Sequence, residues 1–94
     1  MRNFSIDEQF KKLLAKLKHK DKVRYESVLN KMKEIASSYD VEHYKNLRNP
    51  LQFLKRVQVD SHFILVFHYL KHNDTIVFYD LDHHDKIYKK RFKI

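Results

Sequence analysis

The feature that most constrains this chain is the unbroken apolar block Phe63-Ile64-Leu65-Val66-Phe67. β-branched and aromatic side chains stand at both odd and even positions, and a strand tolerates that only where both of its faces are covered. The block therefore predicts the middle strand of a small sheet. A further strand is predicted on either side, from Leu51 to Val59 before it and from Thr75 to Tyr79 after it. The links, Asp60-Ser61 and Lys71 to Asp74, are of hairpin length, so the strands form an antiparallel meander. With Asp60-Ser61 as a two-residue turn, Val59 pairs with His62 and Arg56 with Leu65. One face then carries Phe53, Val57, Val59, Ile64 and Val66, and the other Leu54, Arg56, Gln58, Phe63, Leu65 and Phe67.

The N-terminal half has a different period. Ser5 followed by Glu8 has the spacing of a capping box, which favours a helix start over a short strand at residues 2 to 6. Phe10, Leu13, Leu14 and Leu17 then recur at helical spacing and predict a helix over about residues 6 to 18. After His19-Lys20-Asp21 the pattern resumes with Tyr25, Val28, Leu29, Met32, Ile35 and Ala36, a second helix over about 21 to 37. Two amphipathic helices in tandem form an antiparallel hairpin, and the open sheet face is what they have to cover. The expected architecture is α+β in two layers, a helical hairpin on a small antiparallel sheet, as one domain over residues 1–94. Residues 38 to 50, ending at the only proline, Pro50, connect the layers.

Charge points outward. The chain carries 20 Lys and Arg against 12 Asp and Glu, a formal charge of +8, which draws a small domain to phosphate backbones or to an acidic protein. Glycine is absent, so left-handed turn positions fall to Asn, Asp or Ser, and a Gly-rich phosphate loop is excluded. Cysteine is absent too, which excludes disulfides and thiolate chemistry, and the expected location is cytoplasmic. No stretch reads as a membrane span. Arg56 lies in mid-strand, Lys55 beside it, Lys45 and Arg48 just ahead, and the tail adds Lys86, Lys89, Lys90 and Arg91. Cations converging on a partly aromatic surface suit single-stranded RNA, with Phe63 as a base-stacking platform.

Asp80-Leu81-Asp82-His83-His84-Asp85 is the densest polar cluster. At strand spacing Asp80, Asp82 and His84 share a side and offer a divalent-metal set, while a solvated turn is the commoner use of such a run. Imidazole titrates nearest neutrality, so His83 or His84 is a candidate for proton transfer. Tyr88 reads either as part of that chemistry or as an aromatic that docks the tail.

The order of elements and three segments resemble the RelE/ParE toxin superfamily, and the resemblance covers most of the chain. The segments are Tyr44-Lys45-Asn46-Leu47, Leu54 to Val59 running through a tight turn into Phe63 to Phe67, and His83-His84-Asp85-Lys86-Ile87-Tyr88, which is similar to a His-Arg-Lys-Asp-Ile-Tyr ending. The resemblance implies a toxin that cuts mRNA at the ribosome and is silenced by an acidic, partly helical antitoxin. It implies cleavage without metal or cofactor, by attack of a ribose 2′-hydroxyl on its own 3′-phosphate. By position, Arg56 matches an arginine of the phosphate-binding strand, Lys45 and Arg48 match cations ahead of the sheet, and His83 and Tyr88 match the C-terminal pair, one or other of which moves protons, Tyr88 as the base where nearby cations lower its pKa. Lys55, Phe63, His84, Lys86 and Lys89 surround substrate in this reading. The second arginine that follows the turn in a Gly-Asp-Tyr-Arg run is absent, the chain reading Asp60-Ser61-His62-Phe63, and His84 stands in place of another. Two alternatives share the fold: a ParE-like toxin that targets DNA gyrase, and a non-catalytic module that binds RNA or an antitoxin.

Overall fold

The computed structural model describes residues 1–89. Asn3–Ile6 forms β1, Glu8–Lys20 forms α1 and Lys22–Ala36 forms α2, followed by β2 (Lys55–Gln58), β3 (Phe63–Leu70) and β4 (Thr75–His83). Short 3-10 turns lie at Val41–His43, Lys71–Asn73 and Ile87–Lys89. The strands make one four-stranded sheet in the order β1-β4-β3-β2. The meander β2-β3-β4 is antiparallel, and β1 adds itself to the far edge, parallel to β4.

The first helix begins later than its capping-box spacing suggests. Asp7, not Ser5, is the N-cap, its carboxylate accepting from the Gln9 amide at 3.0 Å. That releases residues 3 to 6 to pair with Thr75 to Phe78, and the Asp7 amide donates to the Phe78 carbonyl at 2.9 Å. The open edge of β4 offers hydrogen bonds to a full strand, which outweighs one side-chain cap. Asp21 alone separates the helices: its amide closes α1 on Leu17, and its carboxylate caps α2 at Arg24. In a chain without glycine, the turn after β3 takes its one left-handed residue from Asp74, at φ 52°.

The register of β2 against β3 differs by one residue from the sequence expectation. Gln58 pairs with Ile64, Val57 with Leu65, Arg56 with Val66 and Lys55 with Phe67. The link has three residues, because the Val59 amide donates to the Phe63 carbonyl at 3.0 Å. Asp60 is responsible: its Oδ1 accepts from the amides of both His62 and Phe63 at 2.9 Å, and its Oδ2 from Arg24 Nε at 2.8 Å. A slip of one residue exchanges the faces of β3. Phe63, Leu65 and Phe67 therefore join Val57 and Val59 under the helices, against Phe10, Leu14, Val28, Met32 and Ile35. Ile64 and Val66 turn to the other face with Arg56, where Leu47, Leu54 and Ile87 cover them in a second, smaller core. Phe53 belongs to neither layer, since β2 begins only at Lys55 and the ring is exposed.

Candidate functional site

The sheet face turned away from the helices is built by three segments: the connector ahead of β2, β2 itself, and the segment after β4. The connector folds back as an extra arm. Leu47 N donates to Leu54 O at 2.9 Å and Arg56 N to Lys45 O at 2.8 Å, so Lys45 runs beside Arg56. Buried Leu47 and Leu54 anchor this arm to Ile64 and Val66. On the other side Ile87, fully buried in the same cluster, fixes the short turn that carries Tyr88. Burying an isoleucine completely contributes about 1.5–3 kcal/mol, enough to hold a three-residue turn against the sheet.

Arg48 and Tyr88 meet across this surface. The Arg48 amide donates to Tyr88 Oη at 3.2 Å, and the guanidinium lies 4.3 Å from the ring centroid. Partial burial pushes the Tyr88 phenol up, but the hydrogen bonds from Arg48 and the charges of Arg56 and Arg48 outweigh it and leave the group below the usual tyrosine value. Both guanidiniums thus act on one hydroxyl. Arg56 is half-buried, and its Nε is buried without a hydrogen-bond partner among the described residues. A buried donor left unpaired is costly unless an acceptor arrives, and a phosphate oxygen has the charge and geometry for an arginine. Beside it an open cleft of about 300 Å³ is lined by His43, Tyr44, Lys45, Arg56, Val57 and Gln58. Chemically the face offers cations for a phosphate and a phenol whose proton is easier to remove than usual.

Of the residues singled out in the sequence, Lys45, Arg48, Arg56 and Tyr88 come together on this face. Three others go elsewhere. Lys55 is not a surface cation: its register with Phe67 points it to the helix side, where its ammonium is buried and donates to Tyr44 O at 3.0 Å, Asn46 Oδ1 at 3.2 Å and Glu42 O at 3.4 Å. Phe63 is not a stacking platform beside Arg56, since it lies under the Arg24 guanidinium, 4.0 Å from its ring centroid, on the helix side. His83 extends β4 opposite Phe63, with its ring edge-on to that phenylalanine at 5.8 Å, so its register sets it on the face opposite Arg56. His84, Lys86 and Lys89 are exposed along the segment that leads to and follows Tyr88. Lys90 and Arg91 lie outside the described residues.

Asp80 and Asp82 fall within β4 opposite Val66 and Ile64, so the polar run continues the strand instead of starting a turn. The Asp80, Asp82 and His84 set does not gather as metal ligands; among the described residues the group with ligand atoms close enough is His62, His83 and His84. A two-residue turn puts His62 in strand pairing, and the three-residue turn of the structure is what brings it to His83 and His84.

A helical hairpin over a sheet whose opposite face gathers arginines and a tyrosine defines the class: the RelE fold. The isolated Escherichia coli RelE toxin superposes with a TM-score of 0.67 at 17% identity, over 99% of this chain and 89% of that one. The RelBE2 toxin–antitoxin complex of Mycobacterium tuberculosis gives 0.60 at 18%, over 88% and 91%. Sequence carries the assignment further than fold. A Methanocaldococcus jannaschii protein named "Putative toxin RelE4" is 45% identical over 91 residues, 97% of this chain and 95% of that relative. The chain belongs to the RelE-like toxin family. No family model matches it. No helix among the described residues is long and apolar enough to cross a membrane.

Proposed function

We propose that this chain is an endoribonuclease toxin that cleaves mRNA at the ribosome by metal-independent attack of a ribose 2′-hydroxyl, and that an acidic antitoxin silences it. The observation that carries the reading is that Arg48 grips Tyr88, its amide on the hydroxyl at 3.2 Å and its guanidinium over the ring, on the same sheet face as Arg56. Arg56, with its unpaired buried Nε, binds the scissile phosphate. Arg48 supplies the second positive charge, in the role left vacant by the missing arginine after the β2–β3 turn. Lys45, in the cleft beside Arg56, extends the cationic track along the strand. Tyr88 takes the proton from the 2′-hydroxyl, the two guanidiniums offset the charge that gathers on phosphorus, and the departing 5′-oxygen takes its proton from water.

The antitoxin reading is supported by the fold shared with the M. tuberculosis protein, which is a toxin–antitoxin complex. A net charge of +8 suits an acidic segment lying over the basic surface. The test is induction in growing cells with message ends mapped by sequencing. Growth arrest with new internal mRNA ends, both lost in Arg56→Ala, is the expected outcome. Arrest with intact messages and DNA damage would transfer the protein to the gyrase-directed reading, and neither arrest nor cleavage would leave a non-catalytic binding module.

A further inference from the structure

The turn of the β2–β3 hairpin and the end of β4 gather three imidazoles. His62 sits in the turn, His83 ends β4, and His84 follows it. The backbone holds them together: the His84 amide donates to the His62 carbonyl at 2.9 Å, and Phe63 pairs with His83. The His62 and His83 rings stack at 5.7 Å with planes 9° apart, and the His83 and His84 centroids are 4.4 Å apart. One ring nitrogen from each residue lies within 4.8 Å of the other two.

We propose that His62, His83 and His84 bind a divalent transition-metal ion, Zn²⁺ as the type case, and that the ion clamps the hairpin turn to the segment leading to Tyr88. Three imidazoles leave one position of a tetrahedral zinc for water, and nitrogen ligands at about 2.0–2.1 Å from the metal stand roughly 3.3 Å from one another. His62 and His84 are exposed and His83 is half-buried, so side-chain rotation closes the present separation without moving the strands. All-nitrogen ligation selects zinc, copper or nickel over magnesium or calcium. Asp85 supplies the outer carboxylate for His84, its Oδ1 lying 2.9 Å from His84 Nδ1, while its amide donates to His83 Nδ1 at 3.2 Å. A carboxylate behind a ligating imidazole fixes the ring and raises its basicity. Among the described residues the acidic neighbours Asp82 and Asp85 flank the site in sequence and moderate the repulsion between a dication and a basic chain. The role is structural, because the arginines that face Tyr88 are on other segments and need no metal to act on it.

The experiment uses the full chain without a polyhistidine tag, and no RNA, so its result is separate from the nuclease reading. Zn²⁺ is titrated into wild type, His62→Ala and His84→Ala by calorimetry, followed by thermal melts and amide exchange with Zn²⁺ or with excess EDTA. Wild type binds one Zn²⁺, melts several degrees higher with it, and shows slower exchange over residues 84–89. Either variant weakens binding by about tenfold or more while keeping the wild-type melting temperature in EDTA. Absence of one-to-one binding, or equal affinity in wild type and His62→Ala, overturns the site. Tight binding with no change in melting or in exchange at residues 84–89 overturns the clamp.

Discussion

Removing the charge of Asp60 should weaken the fold at neutral pH and make no difference in acid. The carboxylate is partly desolvated, which raises its pKa, yet the Arg24 guanidinium and the amides of His62 and Phe63 overcome this and bring it from 3.8 to about 2. A group with a depressed folded-state pKa adds stability that is fully present above its unfolded value and is lost as pH falls through the folded one. At about 1.36 kcal/mol per pH unit the difference corresponds to roughly 2.5 kcal/mol. The Asp60 side chain keeps 30% of its exposure, so solvent screening reduces this to about 1–2 kcal/mol. Asp60→Asn keeps an oxygen for the two turn amides and removes the anionic Oδ2 that accepts from Arg24 Nε. Urea unfolding of wild type and variant at pH 7 should differ by about 1–2 kcal/mol, with the gap closing between about pH 4 and pH 2. Equal stabilities at pH 7, or a gap that persists unchanged at pH 2, would refute the claim that this carboxylate pins the turn as an anion.

Other expectations follow from the packing on either side of the sheet. Lys55→Met should cost about 1–3 kcal/mol in urea melts, because the carbonyls of Glu42 and Tyr44 lose their buried donor, whereas a solvated lysine would cost almost nothing. Ile87→Ala should destabilise by about 2–5 kcal/mol and also reduce RNA cleavage, since it loosens the turn that presents Tyr88; thermal melts and initial rates measure the two effects. If Tyr88 is the base, kcat/KM rises with pH through its lowered pKa. Arg48→Ala removes one of the charges that lowers it, so the rising limb should move to higher pH; an unmoved limb assigns the proton transfer to another group.

The helices and the meander were legible because their periods are strong and local. Phe10, Leu14, Val28, Met32 and Ile35 repeat at helical spacing, and each is buried where that spacing puts it. The faces of β3 were not legible, and the cause is the same block that announced the strand. Apolar residues at every position from Phe63 to Phe67 carry no parity, so the register rested on the length of the turn. That length is set by Asp60 reaching two amides and a distant Arg24, a tertiary interaction without a local signature. The faces of β2 survive the slip because its own sequence does alternate, with Val57 and Val59 inward and Arg56 outward. The burial of Lys55 is hidden for a related reason: a buried lysine held by carbonyls is indistinguishable in sequence from a solvated one. The sequence conceals β1 because Ser5 and Glu8 match a helix cap, and the vacant edge of β4 that recruits it belongs to the folded sheet alone.

The central claim is that Arg56, Arg48 and Tyr88 form one group for phosphate binding and proton removal, and the chemistry at the cut ends tests it most directly. RNA from ribosome-bound message incubated with the protein is analysed by mass spectrometry for its termini, alongside Arg56→Ala and Tyr88→Phe. The account predicts 2′,3′-cyclic phosphate and 5′-hydroxyl ends for wild type, with initial rates lower by about 10²–10³ in Arg56→Ala. Intact RNA, 5′-phosphate ends, or full activity in Tyr88→Phe would contradict it.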